Sequence, residues 1–119
     1  DGWVDWNMVL DRQGGPNWFK NWCVAPVIVD DKNDEVYFTP LYYVMSHFSK
    51  FMRPGAVKIG CEANNKDVKV TAVQNPDNSI ALVIFNPTEQ SHSIEINISN
   101  EKSTISIPVK ALQTVVINL

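Results

Sequence analysis

The chain has 119 residues, 45% of them apolar and 19% charged, with a formal charge of −3. By length it is one domain, and a chain this long buries roughly two-thirds of its unfolded surface, enough for a core. Residues 1–55 carry five basic and seven acidic groups, and residues 56–119 carry five and six. No basic stripe exists to follow a phosphate backbone, which excludes nucleic acid as a partner class. No apolar run reaches membrane-spanning length, so no integral span is predicted.

The chain opens on Asp1-Gly2-Trp3, with neither an initiator Met nor the charged and apolar regions of a signal peptide. A piece of a longer protein is the expectation. Residues 2–10, GWVDWNMVL, read as a short strand that is mostly apolar and therefore buried on both faces. A loop from Asp11 to Pro26 follows, turned by Gly14-Gly15-Pro16, because glycine tolerates positive φ and proline stops regular pairing. Four tryptophans, Trp3, Trp6, Trp18 and Trp22, fall within these first 22 residues and none in the other 97. Ring faces interleaved with amides and carboxylates are the chemistry of a sugar pocket: the ring covers the C–H face of a pyranose and the polar groups meet its hydroxyls.

Val27-Ile28-Val29 is a short extended run, Asp30 to Asp34 a solvated turn, and Val36-Tyr37-Phe38 a second run. A helix is predicted over 40–52. Thr39 can cap it, Pro40 suits its first position, and Leu41, Met45, Phe48 and Met52 form one buried stripe. Arg53-Pro54-Gly55 ends it.

From residue 56 the period becomes two. Val57, Ile59, Cys61 and Ala63 alternate with polar or small residues, and Val68, Val70 and Ala72 continue the pattern. Asn75-Pro76-Asp77-Asn78 is a turn with proline in its second position. Ile80 to Phe85 is apolar throughout and suits a central strand. Ile94, Ile96 and Ile98 give a strand with one wet face. Ile105, Ile107 and Val109 follow with Pro108 marking an edge, and Val115 to Leu119 close the chain. About six strands with turns at this spacing predict a mostly β fold, an antiparallel β-sandwich. Residues 1–55 look instead like strand, loop and helix, the repeating unit of a (β/α)8 barrel, incomplete here. The boundary is placed between 55 and 56.

These residues carry a family likeness. GWVDWNMVLDRQGGPNWFKNW, then APVIVD, then YYVMSHFSKFMRPGAVKIG, resembles the C-terminal part of glycoside hydrolase family 30, in its glucosylceramidase branch. The likeness is specific in residues 2–60 and rests on the Asn75-Pro76-Asp77 turn and on spacing thereafter. It implies a (β/α)8 barrel fused to a β-sandwich, in a retaining β-glycosidase with two catalytic glutamates and no cofactor. In the family both glutamates precede the DWN motif. The glutamates here, Glu35, Glu62, Glu89, Glu95 and Glu101, lie in turn or sandwich contexts, so the chain alone is expected to lack catalysis. The resemblance places residues 2–7 as barrel strand eight and gives Trp6 a place lining the glycone site. It gives Asn21 contacts to sugar hydroxyls and brings Val24 to the same pocket. The partners it implies are a β-glucoside or glucosylceramide-like substrate and the rest of the glycosidase chain. The branch carries Asn-Phe where Asn21 is here followed by Trp22.

Other residues read more plainly. Trp3 and Trp18 are packing candidates, and Asp5 is read as holding a neighbouring basic or amide group. His47 is a hydrogen-bonded core residue and His92 a surface strand residue. Cys23 and Cys61 are two buried free thiols, and with His47 and His92 they make no metal-ligand spacing. Asp30, Asp31, Asp34 and Glu35 are a solvated acidic group without calcium-loop spacing. Asn97-Ile98-Ser99 fits a glycosylation acceptor. A second function class stays open: a non-catalytic β-sandwich module that binds carbohydrate or protein.

Overall fold

The computed structural model describes residues 2–98 and 101–119, and backbone contacts divide the chain into two units, Asp1–Ser46 and His47–Leu119. In the first unit three short strands form one sheet in the order β1 (Val9–Asp11), β2 (Val27–Asp30), β3 (Glu35–Phe38). β1 lies parallel to β2, with Leu10 opposite Ile28, and β2 is antiparallel to β3, with Val29 opposite Val36. A helix, α1 (Pro40–Ser49), follows.

Residues 2–8 are not in a strand, contrary to the sequence expectation. Only Val9–Asp11 pairs, and of these only Leu10 is buried. An apolar strand buries both faces when neighbours cover it. Among the described residues β2 alone pairs with β1, over three residues, and Val4 and Trp6 stand 94% and 80% exposed.

The acidic turn is also built differently from its reading as solvated. Asp30 is fully buried. Its carboxylate accepts from the Asn33 amide at 2.7 Å, from the Arg12 guanidinium at 2.8 Å, and from the N–H groups of Lys32 and Asn33. Asp34 completes the reversal in the left-handed region, at φ 54°. Buried carboxylates persist only when so satisfied. The Asn33 amide, more than any other partner, holds the Asp30 carboxyl below its ordinary range, against the opposing pull of burial.

The helix stops at Ser49, three residues short of the predicted end, although one further bond of helical type runs from Met52 N–H to Phe48 C=O at 2.9 Å. Its apolar stripe is half-buried rather than buried. Thr39 does not cap with its side chain: its hydroxyl donates to the carbonyls of Ala25 and Pro26, while its own carbonyl accepts from Tyr42.

The second unit holds the six expected strands: β4 (Val57–Ile59), β5 (Lys69–Gln74), β6 (Ile80–Asn86), β7 (His92–Ile98), β8 (Glu101–Ile107) and β9 (Ala111–Ile117). β4-β5-β6-β9 make one antiparallel sheet and β7-β8 another. The unbroken apolar run Ile80–Phe85 lies centrally, between β5 and β9. β7 alternates as predicted, with Ser93, Glu95 and Asn97 wet. Inner side chains of both sheets meet in a core of Val68, Ile84 and Ile107, joined by Val70, Leu82, Ile94, Ile105, Ala111 and Val115. The buried Val68, Ile84 and Ile107 side chains each contribute about 1.5–3 kcal/mol by leaving water.

The first strand of this unit ends at Ile59 rather than running to Ala63. β5 pairs with β4 only as far as Ile59 opposite Ala72, and residues beyond Gly60 are spent on a connection closed by Asn65, whose carbonyl accepts from Val68 and whose side chain accepts from Asp67. Cys61 in this connection is exposed and Cys23 half-buried, so neither thiol is buried as expected; both are free. Asn97 is exposed on β7, and Ser99 of the glycosylation acceptor lies outside the described residues.

Asp30 gives the first unit a definite pH response. Its carboxyl is lowered from 3.8 on folding, so its stabilisation is complete above that ordinary value and is lost as pH falls through the lower folded one. Urea unfolding of wild type and Asp30→Asn is expected to differ clearly at neutral pH and to converge in strong acid. An equal gap at both ends would refute this.

Candidate functional site

The functional candidates lie on the segment before β1 and on the connection from β1 to β2. That connection is long and lacks regular structure, so its backbone polar groups need local partners. Asp11 supplies several. Its carboxylate accepts from Gln13 at 2.8 Å and from Gly15 at 2.9 Å, its N–H donates to Gly15, and its carbonyl accepts from Gly14.

Gly14 then brings two stretches of backbone together. It sits at φ 88°, and a Cβ there would fall 2.3 Å from the Cys23 carbonyl oxygen. No other residue fits that approach. Cys23 N–H donates to Gly14 C=O at 3.2 Å, which closes the loop upon itself. A Cβ on Gly15 would stand 3.0 Å from the Trp22 ring, so that ring lies against the glycine.

Within the closed loop, the Asn17 side-chain oxygen accepts from Asn21 N–H at 3.0 Å, and Lys20 at φ 57° makes the reversal between them. The Asn17 amide nitrogen is buried with no hydrogen-bond partner among the described residues. The Cys23 thiol donates to Asn21 C=O at 3.4 Å. Asn21 therefore has its backbone tied on both sides while its residue remains exposed. That arrangement leaves an amide free to donate and accept outward.

Of the three residues assigned to the pocket by resemblance, Trp6 precedes β1 and is 80% exposed, Asn21 is on the loop, and Val24 is 75% exposed just before β2. No hydrogen bond joins Trp6 to Asn21 or Val24 among the described residues. The backbone of Trp6 is anchored locally, its main-chain N–H donating to the Asp5 carboxylate at 2.8 Å. Asp5 thus caps its own neighbour, where the sequence reading had it hold a basic or amide side chain. Trp18 is 97% and Phe19 92% exposed. Trp18 is no packing residue, and Trp3 stands half-exposed. Sequence reasoning missed this outward pair. The signal lay in their place between Asn17 and Lys20, inside a loop with no alternating pattern to bury them.

A further cavity, a groove of about 580 Å³, lies in the second unit, walled by Val70, Ala72, Leu82 and Ile84 on one sheet and by Ile94, Ile96 and Ile98 on the other. Glu62, Asn64, Asn65, Glu95 and Asn97 rim it, and no aromatic side chain lines it. Among the described residues no cluster of three or more His, Cys, Asp or Glu is placed to hold a metal. Nor, among the described residues, is any helix long and apolar enough to cross a membrane.

Two family profiles match the chain: the glycosyl hydrolase family 30 TIM-barrel domain over residues 1–52, and the glycosyl hydrolase family 30 beta sandwich domain over residues 55–115. Among curated proteins, the lysosomal acid glucosylceramidase of Mus musculus is 37% identical over 97 residues, covering 81% of this chain and 19% of that protein. Among solved structures, SrfJ from Salmonella typhimurium is similar with a TM-score of 0.92 at 27% identity, covering 97% of this chain and 26% of that one. The endo-beta1,6-glucanase BT3312 is similar with a TM-score of 0.83 at 26% identity, covering 92% of this chain and 25% of that one. The chain spans about a fifth of the length of the curated relatives it matches.

Proposed function

Because the chain belongs to glycoside hydrolase family 30, we propose that it forms the last strand-loop-helix unit of the barrel and the side sandwich of a retaining β-glycosidase that hydrolyses β-glucosides of the glucosylceramide type. The boundary is assigned between residues 55 and 56. Trp6, Asn21 and Val24 supply one wall of the glucose pocket, and the two reacting acids belong to other polypeptide of the enzyme. The observation that carries this reading is the closed loop from Asp11 to Cys23. It fixes the Asn21 backbone while leaving Asn21 exposed, in a chain whose relatives include glucosylceramidases.

The chemistry assigned to these residues is positioning. The exposed Trp6 ring covers the apolar face of the sugar, and the Asn21 amide meets hydroxyls as donor and acceptor. A retaining mechanism needs two carboxyl groups roughly 5–5.5 Å apart. Glu89 is paired with Lys110 at 2.6 Å, Glu95 is bound by Asn97 and Lys102, and Glu35 accepts from Tyr37. The Glu95 carboxyl is held below its ordinary range by the Asn97 amide first and by Lys102 next. A carboxylate so held is unsuited to donating a proton to a leaving group at neutral pH. This supports placing the catalytic acid elsewhere.

The groove is assigned to the rest of the glycosidase chain as an extended apolar segment. Its walls are aliphatic, without the ring faces a saccharide uses. Among the described residues β7 and β8 pair only with each other, so their outer backbone edges are open to a further strand.

Two measurements on this chain test the proposal. With a fluorogenic β-glucoside, no turnover above the blank is expected, while glucose-like ligands change the tryptophan fluorescence and Trp6→Ala weakens that binding about tenfold, or about 1.4 kcal/mol. Turnover, or binding indifferent to Trp6, would overturn the assignment. In sedimentation the open groove and edges predict concentration-dependent self-association; a clean monomer across the range would count against an unfilled docking groove.

A further inference from the structure

We propose that His92 is an acid-released clasp on the rim of the sandwich groove. Its imidazole, at the start of β7, is hydrogen-bonded on both nitrogens. Nδ1 faces the Asn65 amide nitrogen at 3.2 Å, and Nε2 faces the Thr88 hydroxyl at 2.9 Å. It is half-buried rather than a simple surface residue.

The surrounding network fixes which nitrogen carries the proton. The Asn65 side-chain oxygen is committed to Asp67 N–H at 2.9 Å, so the face turned to His92 is the NH2 group, a donor. Nδ1 must therefore accept. On the other side, the Thr88 hydroxyl has carboxamide and carbonyl acceptors for its proton, Asn86 Oδ1 at 2.7 Å and Gln90 C=O at 3.0 Å, which leaves its oxygen to accept from Nε2–H. The neutral Nε2–H tautomer satisfies every partner.

A second proton cannot be placed. On Nδ1 it points at the Asn65 NH2 group, donor against donor. Turning the Asn65 amide over would present its oxygen, and would forfeit the bond from Asp67 N–H. Either way a bond that holds the β4–β5 connection is lost on protonation.

That connection is the groove's rim. Gly60, Cys61, Glu62, Ala63, Asn64 and Asn65 all line the groove. Thr88 leads on to Asn86, which is fully buried and donates to the carbonyls of Gln90 and Pro108. The Asn86 side is bonded independently of His92 and stays closed, so acid frees the Asn65 side alone. Charged and titratable groups on the elements around His92 are Cys61, Glu62, Lys66 and Asp67 on the connection that holds Asn65, Glu89 with its partner Lys110 beyond Thr88, and Glu95, Glu101 and Lys102 further along the β7–β8 pair. Among side chains, imidazole is the one whose unperturbed charge change falls between about pH 5 and pH 8. The chain's other imidazole, His47, is bonded to Thr114 through Nδ1 and not to this connection.

The test is amide hydrogen exchange on the full chain at about pH 8 and pH 5.5, with intrinsic rates divided out. The Asp67 and Val68 amides are expected to lose about five- to tenfold of their protection in acid, while the β5 and β6 amides do not change. In His92→Gln, which cannot titrate, the acid loss disappears. In Asn65→Asp the new carboxylate accepts from a protonated ring, so protection rises in acid instead of falling. Nitrogen chemical shifts of the His92 ring at pH 8 are expected to report the Nε2–H tautomer, a readout that needs no variant to fold. A Nδ1–H tautomer, protection independent of pH in the wild type, or an acid loss that survives His92→Gln would each overturn the proposal.

Discussion

The backbone of Gly14 approaches Cys23 so closely that a side chain at Gly14 would strike a carbonyl. On that approach depends every placement in the aromatic loop. Once Cys23 N–H is bonded to Gly14, the stretch between them must turn twice. Asn17 and Lys20 make the second turn and leave Asn21 outward. Asp11 makes the first, using one carboxylate oxygen for two N–H groups. A loop held by its own backbone and two short polar side chains needs no apolar interior. The Trp18 and Phe19 rings are therefore free to face a ligand or other polypeptide, which is how loops on rigid strands come to carry function.

The second unit follows a different rule. Its stability comes from alternation: inward aliphatics on β5, β6, β7, β8 and β9 meet in one core. The polar side chains that matter there are short and fully satisfied. Asn75 ties the β5–β6 turn to the chain before β4, accepting from Arg53 N–H and donating to Phe51 C=O and to Ser79. Asn86 serves the other end. Where the two sheets part, aliphatic walls face each other across a groove. Its rim is held through a neutral imidazole, so the unit combines a fixed interior with one connection whose bonding depends on a proton.

The sandwich was legible because alternation is a local signal: Ile94, Ile96 and Ile98 against Ser93, Glu95 and Asn97 name a half-wet strand without any neighbour in view. Asn75-Pro76-Asp77 named its turn, and the apolar run at Ile80 named a central strand. What sequence could not give was any element whose state depends on partners. Residues 2–10 read as a buried strand because they are mostly apolar, yet burial needs a covering neighbour and, among the described residues, β2 is the one strand paired with β1. Asp30 read as solvated because it sits among acids. Its burial depends on Arg12, eighteen residues away, and on Asn33 folding back. His92 read as a surface residue because nothing in its own strand reveals that Asn65 and Thr88 converge on it. The site assignment came from motif likeness, and the structure adds the physical reason that Asn21 can face outward.

The central claim is that Trp6 and Asn21 wall a glucose-sized pocket whose reacting acids come from other polypeptide. The most direct measurement is a crystal structure of a family-length protein containing this sequence, with a glucose-configured inhibitor bound. The account predicts the Trp6 ring against the sugar, the Asn21 amide at hydrogen-bond distance from its hydroxyls, and two glutamates from outside residues 1–119 flanking the anomeric carbon. A bound sugar touching neither Trp6 nor Asn21, or flanked by a glutamate of this chain, would contradict it.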